Sequence, residues 1–304
     1  MAPHKVFVCA ATGTQGGAVA RQLRAIGWEV NTTTRDPNSP AAQALTSIGV
    51  KVHQGGWDET AALESALAGC DLLFLNLMPD LTNLPSEAEF GTNLLRIARA
   101  AGIAHVVYSS GLAMPERESH PFSKMAFAAK GTIEKAVQEA GFRHWTILRP
   151  GFFMANFLVP KVNMMYAGAA ETGLFTLAFH PDSKLPMIDH EDIGAFAVAA
   201  LQSPERFHQQ VIDLIGEVVA TEEAMETMRR VTGRNIRAKY LTDEELAVAK
   251  VANPMLALQE VLRSADMAVN AAGAKTWGIQ LGTFERFVER EKKAFEETYQ
   301  TVSN

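Results

Sequence analysis

The chain has 304 residues, of which 47% are hydrophobic and 20% charged, and this composition predicts a folded core rather than disorder. The net charge of −6 and the lack of a long basic run argue against nucleic-acid binding through phosphate contacts. No apolar run approaches about 18 residues, so we expect no membrane span or membrane partner, and a cytoplasmic location. Cys9 and Cys70 are expected to be buried thiols, and the histidines show no metal-ligand spacing.

The N-terminal stretch predicts a strand, a glycine-rich turn and a helix. An apolar run over residues 6–9 is typical of a buried strand, and hydrophobic residues at helical spacing then follow until Gly27. A glycine turn between a strand and a helix leaves backbone N–H groups free at the helix start, where the helix dipole adds positive charge. The turn therefore predicts a pyrophosphate site, and its candidate residues are Ala11, Thr12, Gly13, Thr14, Gln15 and Gly16.

The glycine pattern of this turn departs from the usual dinucleotide fingerprint. The three fingerprint positions hold Ala10, Gly13 and Gly16, so the first glycine is replaced by alanine. A glycine pattern by itself is a weak signal, and a plain turn is the alternative interpretation. The position of the turn between a strand and a helix favours the nucleotide site.

The second predicted strand, residues 29–34, ends beside Arg35. In doubly wound folds an acidic residue at this strand end bonds the ribose 2′-hydroxyl of NAD, whereas an arginine accommodates the 2′-phosphate of NADP. The strand ends in Thr33, Thr34 and Arg35, and the nearest acid, Asp36, comes one residue later and precedes proline. We therefore expect NADP(H) to be preferred over NAD(H), with a solvated arginine as the alternative.

Strands and helices alternate through the first half of the chain. Helix starts are marked by Asp58, a candidate N-cap, and by Ser86 with Glu89, a candidate capping box. A strand at residues 105–110 and a helix at about 123–140 continue the alternation. The pattern predicts an α/β fold, with a doubly wound parallel Rossmann sheet and a smaller, mostly helical substrate-side region.

The expected domains follow from where this alternation stops. Residues 1–155 form the predicted nucleotide-binding domain, completed by residues 186–215, and residues 156–304 contain the smaller, discontinuous region. Thr221 and Thr242 are candidate helix caps within that region.

One predicted strand carries a polar residue near its end. Residues 71–77 form a near-continuous apolar run, as expected for a parallel strand that is covered on both faces. Asn76 is the one interior polar residue of this run, and ligands of doubly wound folds bind beyond the carboxyl ends of the strands. Asn76 and the adjacent Leu77 are therefore candidate cofactor contacts.

The turn AATGTQGGAVA closely resembles that of the NmrA-like proteins, an atypical branch of the short-chain dehydrogenase/reductases. Four further segments resemble this family in the same order, namely VVYSSG at 106–111, the helix carrying Lys130, TILRPGFFMANF at 146–157 and PMIDHEDIGAFAVAAL at 186–201. The chain is also similar to HSCARG-type and isoflavone-reductase-like proteins. The resemblance implies that Trp57 and Asp58 lie beside the adenine, with a packing tryptophan as the alternative for Trp57. It also implies that the carboxamide side of the cofactor contacts Pro150, Gly151, Phe152 and Phe153.

Lys130 is the main candidate catalytic residue. Typical short-chain reductases pair a tyrosine with a lysine four residues later, and here Lys130 matches the lysine while position 126 is alanine. Lys130 could anchor the nicotinamide ribose, or act as acid or base if burial favours its neutral form; a solvated helix lysine is the alternative. Tyr108 and Ser109, at a strand end, are further candidates for contact with substrate, or ordinary turn residues.

Two functions are consistent with these features. The first is an NADPH-dependent reductase of a small hydrophobic molecule, such as a quinone, enone, carbonyl or imine, and its candidate substrate contacts are Phe153, Asn156, Phe157, Met165 and Tyr166. The second is a non-catalytic NADP(H) redox sensor or transcriptional regulator that acts through a protein partner, because the usual tyrosine is missing. The mostly apolar character of these candidate contacts favours the reductase. The sequence leaves the substrate and the oligomeric state open, with a homodimer among the options.

Overall fold

The computed structural model describes most of the chain, and the described residues are 4–80, 82–112, 121–264 and 271–303. The chain divides into two compact units. The first unit consists of Met1–Leu112, Met125–Pro150 and His190–Asp213. The second unit consists of Ala113–Lys124, Gly151–Asp189 and Leu214–Asn304.

Helices and strands alternate in the first unit and are shorter in the second. The strands of the described residues are β1 Lys5–Val8, β2 Glu29–Thr34, β3 Lys51–Gln54, β4 Leu72–Leu75, β5 His105–Ser109, β6 His144–Pro150, β7 Phe152–Phe153, β8 Leu174–Leu177, β9 Lys184–Ile188, β10 Gln210–Leu214, β11 Glu217–Ala220 and β12 Arg237–Tyr240. The helices are α1 Thr14–Ala25, α2 Pro40–Ser47, α3 Thr60–Leu67, α4 Ser86–Ala100, α5 Pro121–Glu139, α6 Lys161–Met165, α7 Ala169–Thr172, α8 His190–Gln202, α9 Pro204–Phe207, α10 Thr221–Thr232, α11 Asp243–Ala252, α12 Pro254–Ser264, α13 Ala271–Lys275, α14 Phe284–Arg290 and α15 Lys292–Thr298, with a 3₁₀ turn at Met154–Phe157.

The first unit is built on one seven-stranded sheet with the order β10-β6-β5-β4-β1-β2-β3. The strand pairs from β6 across to β3 are parallel. The chain runs outward from β1 to β3 in one direction and then from β4 to β6 in the other, so the order reverses between β1 and β4. In doubly wound sheets this reversal opens a crevice at the carboxyl ends of the strands, where ligands bind. The predicted Rossmann sheet is confirmed.

Central strands of this sheet are buried along their whole length. Every residue of β4 and of β5 is buried, which is the pattern of parallel strands with helices on both faces. Below one face, side chains of the sheet, including Phe7, Leu75 and Tyr108, pack in one hydrophobic cluster with Leu95 and Ile133 of the helix layer. This cluster determines which side chains of the strand ends face helices rather than the crevice.

The second unit contains short strands that the sequence did not predict. A three-stranded sheet has the order β11-β9-β7, and β12 pairs with β8. These strands are two to five residues long, which is too short to carry a recognisable alternation of apolar and polar residues. The expectation of a mostly helical region is therefore incomplete.

Three predicted helix caps are wrong and one is confirmed. Helix α3 begins after Glu59, so Asp58 is not its N-cap. Helix α4 begins at Ser86, so its N-cap is Pro85, which has helical φ and ψ. The Ser86 hydroxyl donates to the carbonyl of residue 83 and does not cap the helix. Helix α10 likewise includes Thr221 as its first residue, whereas Thr242 caps α11 as predicted.

Other sequence-based expectations concern cysteines and membrane spans. Cys9 and Cys70 are free and buried, and burial raises the pKa of the Cys9 thiol to about 12 and that of Cys70 to about 11. Within the part of the chain that the structure describes, no helix combines the length and the hydropathy that a membrane crossing requires.

A buried histidine lies at the amino end of β5. The ring centroid of His105 is 5.8 Å from that of His144, which in turn is 5.1 Å from that of His208. Burial is the main cause that lowers the pKa of His105 to about 3, and the positive charge that His144 and His208 can carry adds to it. Glu205 approaches the far side of this group, with 3.6 Å between its Oε1 and the Nε2 of His144.

We expect His105 to make the fold sensitive to acid. The unfolded histidine titrates near 6.5, so below that pH the unfolded chain binds a proton that the folded chain excludes, and stability falls as the pH drops toward about 3. Between pH 6.5 and pH 5 this loss amounts to about 2 kcal/mol. His105→Gln should remove this part of the pH dependence in urea unfolding at pH 7 and pH 5. The exposed His180 provides the control, and an unchanged pH dependence in His105→Gln would contradict the assignment.

Candidate functional site

The turn between β1 and α1 has an open helix start. Gly13 is the N-cap of α1, no side chain bonds the free N–H groups there, and the first turn carries no acidic residue. The Gly13 N–H donates to the Ala10 carbonyl at 2.9 Å, which closes the turn. The N–H groups of the first helical residues have no acceptor within the helix, and the dipole is positive at this end. The geometry therefore fits a pyrophosphate at Thr14, Gln15 and Gly16.

The two fingerprint glycines serve different purposes. A Cβ on Gly16 would lie 2.4 Å from the Ala10 oxygen and 2.5 Å from the Cys9 oxygen, so α1 can pack this close to β1 only with glycine there. Gly13 is exposed, and a Cβ on it would meet only the Ala10 oxygen, at 3.2 Å. Gly16 therefore sets the packing of the helix, while Gly13 keeps the surface of the turn open to a ligand.

Ala10 adopts the backbone conformation that the missing first glycine would favour. Its φ is +49°, in the left-handed region, where an L-residue carries a penalty of about 1–2 kcal/mol. The alanine therefore retains the turn geometry of the fingerprint and leaves local strain at the edge of the site.

Three predicted residues are joined by hydrogen bonds at the carboxyl edge of the sheet. The Gln15 amide donates to the Asn76 Oδ1 at 2.6 Å, and the Ser109 hydroxyl donates to the Gln15 Oε1 at 2.8 Å. Gln15 thus connects the phosphate turn to the ends of β4 and β5. Because the Ser109 hydroxyl is already engaged and the residue is buried, we assign it to holding Gln15 rather than to proton donation.

The predicted adenine side contains one free cation. Arg35 follows β2, is exposed, and makes no hydrogen bond or ion pair with any residue that the structure describes. The neighbouring Asp36 carboxylate accepts the backbone N–H of residue 38. Trp57 is half-buried and packs on the hydrophobic cluster below the sheet, Asp58 is exposed, and Leu77 is a buried member of that cluster.

Lys130 is held by a carboxylate that the sequence did not single out. Its Nζ lies 2.7 Å from the Oε1 of Glu87, whose side chain is completely buried, while the Lys130 side chain is 15% exposed. The alternative of a solvated helix lysine is therefore wrong. A Cβ on Gly111 would lie 3.3 Å from the Lys130 Cδ, so the lysine stem passes close to the chain just after β5. The sequence did not indicate a role for Glu87, because acidic residues are common in the first turn of a helix.

Tyr108 is not a suitable proton donor. The residue is fully buried in the hydrophobic cluster below the sheet, on the side of the helix layer. Burial raises the pKa of its hydroxyl, and the charge of Glu87 adds to the effect. Successive side chains of a strand lie on opposite faces of the sheet, so Tyr108 and its neighbour Ser109 are on different faces. The prediction that Tyr108 contacts a substrate is contradicted by this placement.

The segment after β6 uses its glycine for backbone packing within the second unit. A Cβ on Gly151 would lie 2.2 Å from the Pro186 oxygen, and the Gly151 N–H donates to the Leu214 oxygen at 3.0 Å. This N–H is therefore not available to a carboxamide. Phe152 and Phe153 form β7 beside β9 and are half-buried, and the Pro150 carbonyl accepts the N–H of residue 112.

Two of the predicted substrate contacts belong to the core of the second unit. Phe157 and Tyr166 are 1% and 3% exposed, and their rings stack with centroids 5.8 Å apart. Tyr299 donates its hydroxyl to the Phe157 carbonyl at 2.6 Å, which fixes the segment further. These two residues are packing residues, and their assignment to an open wall is wrong. The other candidates, Phe153, Asn156 and Met165, are half-buried.

A second lysine accompanies these residues. The Nζ of Lys161 lies 4.9 Å from the centroid of the Phe153 ring, and it has no ion-pair partner among the residues that are described. Burial lowers the pKa of Lys161 to about 8. Nothing in the sequence singles out Lys161, since a lysine after proline at the start of a short helix is common. No group of three or more described His, Cys, Asp or Glu side chains is arranged to hold a metal ion.

The open start of α1, at the reversal of strand order, places the protein in the class of Rossmann proteins that bind dinucleotides. Comparison with known proteins identifies the family. The model of the NmrA-like family matches residues 3–303, so the chain belongs to the NmrA-like family.

Relatives within this family are named as oxidoreductases. The NmrA-like family domain-containing oxidoreductase ptmS of Penicillium ochrochloron is 29% identical over 248 residues, which cover 76% of this chain and 74% of the relative. The NAD(P)H azoreductase of Xenophilus azovorans is 30% identical over 262 residues, which cover 86% of this chain and 84% of the relative. The expectation of an oxidoreductase is confirmed at this level.

A solved structure shares the fold over almost the whole chain. It is that of Nmra, a negative transcriptional regulator in complex with NAD, with a TM-score of 0.78 and 19% identity, covering 99% of this chain and 98% of Nmra. Another structure of Nmra is a complex with NADP. At this identity the likeness establishes the fold.

Proposed function

We propose that this protein is an NADPH-dependent reductase of a small hydrophobic molecule with a quinone, enone, carbonyl or imine acceptor. The observation that carries the proposal is Lys130, which a buried carboxylate holds at the carboxyl edge of the nucleotide-binding sheet. A lysine kept in place by a buried partner is suited to a site, whereas a surface lysine would need no such partner. Oxidoreductase relatives that cover most of the chain support the same function.

The residues at the site fit a nicotinamide dinucleotide, which supplies a hydride when bound. The uncapped N–H groups at the start of α1 bind the pyrophosphate, and the exposed Arg35 binds the 2′-phosphate. Gln15 fixes the phosphate turn to Asn76 and Ser109. Lys130 donates a hydrogen bond from Nζ to a ribose hydroxyl, or transfers a proton from Nζ to the acceptor atom of the substrate.

The substrate class is inferred from the second unit. Phe153 and Met165 are half-buried and Met164 is 52% exposed, so this region offers apolar surface to a small molecule. We propose that the partner is such a molecule rather than a nucleic acid, since the net charge is −6, and that the protein works in the cytoplasm. The test is NADPH consumption against a panel of quinones, enones, simple carbonyl compounds, imines and azo compounds. Tight NADPH binding without turnover of any of them would reject the reductase.

The second candidate function is a sensor that binds NADP(H) without turnover and acts through a regulatory protein. Position 126 of α5 holds alanine where typical short-chain reductases have the catalytic tyrosine, and this observation favours it. The two candidates differ in whether Lys130 takes part in chemistry.

Arg35→Ala should weaken NADPH binding and leave NADH binding nearly unchanged. A charge-assisted contact to phosphate at an exposed site is worth roughly 1.5–3 kcal/mol, or about 10- to 150-fold in Kd. Calorimetry with both nucleotides measures the difference. Lys51→Ala is the matched control, because Lys51 is an exposed cation at the amino end of the adjacent strand β3. Equal losses for NADPH and NADH would show that Arg35 does not contact the 2′-phosphate.

A further inference from the structure

Glu87 and Lys130 form a buried ion pair between two helices. Glu87 lies in the first turn of α4 with its side chain 0% exposed, and its Oε1 is 2.7 Å from the Lys130 Nζ on α5. The amino end of a helix favours a carboxylate, and the lysine supplies the opposite charge. Removing two charges from water costs several kcal/mol per ion, and such pairs seldom add net stability. Stability alone therefore does not account for this pair.

The second carboxylate oxygen of Glu87, Oε2, is buried without a hydrogen-bond partner among the described residues. Buried polar atoms of this kind are uncommon in folded proteins. The Tyr108 hydroxyl is buried as well, and the side chain of Ser110 offers it a hydrogen bond. The charge of Glu87 contributes to the raised pKa of the Tyr108 hydroxyl. The polar cluster thus interrupts the hydrophobic packing at the point where Lys130 approaches the end of β5.

We propose that Glu87 is a positioning residue that holds Lys130 as an ammonium group directed toward the carboxyl edge of the sheet. The inference rests on the proposed reductase function of Lys130. In the reduction, the hydride of NADPH forms the new bond to the acceptor, and one N–H bond of Lys130 breaks to protonate the acceptor heteroatom. NADP⁺ and a neutral lysine remain, and water returns the proton to Lys130. Glu87 favours the protonated amine before and after this step.

Other ionisable groups face the pair from the neighbouring elements. The charges of Glu87 and Glu134 both raise the pKa of Tyr108 on β5. Glu134 on α5 accepts a hydrogen bond from Arg149 of β6, with 2.9 Å between Oε1 and Nε. The charge of Asp213 on β10 also contributes to the raised pKa of Arg149. Since Glu134 already has this arginine partner, Glu87 is the carboxylate that serves Lys130.

The test compares Glu87→Gln with Glu89→Gln. The first change keeps the shape of the side chain and removes its charge, while Glu89 is an exposed acid on the same helix turn. We expect Glu87→Gln to lower kcat about 10- to 100-fold, less than the full loss of a general acid, with a smaller change in KM for NADPH. The alkaline limb of its kcat profile should move to lower pH, because the carboxylate that faces the amine is gone. A purely structural role would lower kcat without moving that limb.

A second readout does not depend on turnover. The NADPH affinity of Glu87→Gln should depend on pH differently from that of the wild type or Glu89→Gln, because the carboxylate opposite the amine has then lost its charge. In urea unfolding without nucleotide, Glu87→Gln and Lys130→Met should each lower the urea concentration at the midpoint. The double variant should lower this midpoint by less than the sum of the two single effects.

The outcomes separate this inference from the proposed function. Wild-type protein that reduces no acceptor overturns the reductase, and the NADPH affinity profile still decides the role of Glu87. Turnover with identical pH profiles in Glu87→Gln and Glu89→Gln overturns the inference and leaves the reductase intact. Additive effects of Glu87→Gln and Lys130→Met on unfolding would also overturn it, since they would show that the pair is not formed.

Discussion

Lys130→Ala is expected to lower kcat for NADPH oxidation by roughly 10²–10⁴-fold, the range associated with loss of a general acid. The affinity for NADPH should change less, because the N–H groups of α1 and Arg35 still hold the phosphates. Steady-state kinetics with the acceptor found in the panel, together with calorimetry of NADPH binding, measure the two effects separately.

The matched control for this variant is Lys135→Ala. Lys135 lies on the same helix, its side chain is 74% exposed, and its contact with Glu139 is a surface pair at 3.9 Å. Such pairs contribute little, so Lys135→Ala should behave as the wild type. If Lys130→Ala alters only nucleotide affinity, and no acceptor is reduced even by the wild type, the sensor is the better account of the protein.

Gly13→Val should abolish NADPH binding while the fold survives. The glycine is exposed with φ −95°, which valine can adopt, and its Cβ would meet only the Ala10 oxygen at 3.2 Å. The branched side chain would occupy the place where the pyrophosphate approaches the backbone. Loss of two charge-assisted bonds amounts to roughly 3–6 kcal/mol, which is more than 100-fold in Kd.

Gly16→Val separates the binding role from the packing role of these glycines. Its Cβ would lie 2.4 Å from a carbonyl oxygen of the preceding chain, so this variant should lower the midpoint of thermal unfolding. Gly13→Val should keep a wild-type melting curve and circular dichroism spectrum. Wild-type NADPH affinity in Gly13→Val would show that the pyrophosphate does not bind at this turn.

Much of the first unit could be predicted because its signals are local. The apolar strands, the helical spacing and the glycine turn each depend on residues that are close in sequence, and the parallel sheet follows from their alternation. The helix caps were less predictable. Pro85 is the N-cap of α4 instead of Ser86, and Glu59 is the N-cap of α3 instead of Asp58, because a cap depends on backbone angles that shift by one residue without changing the pattern.

The Rossmann sheet, the glycine turn after β1 and the lysine in register with the reductase family could all be predicted from the sequence. The contacts that those residues make became visible in the folded chain. The tertiary structure brought Glu87 to Lys130 across 43 positions of sequence, and Gln15 to Asn76 and Ser109, since contacts between distant segments leave no periodic pattern. It also placed Phe157 and Tyr108 in hydrophobic packing, because an aromatic residue at a strand end or in a loop suits a core and a binding wall equally well, and only the packing of its neighbours distinguishes them.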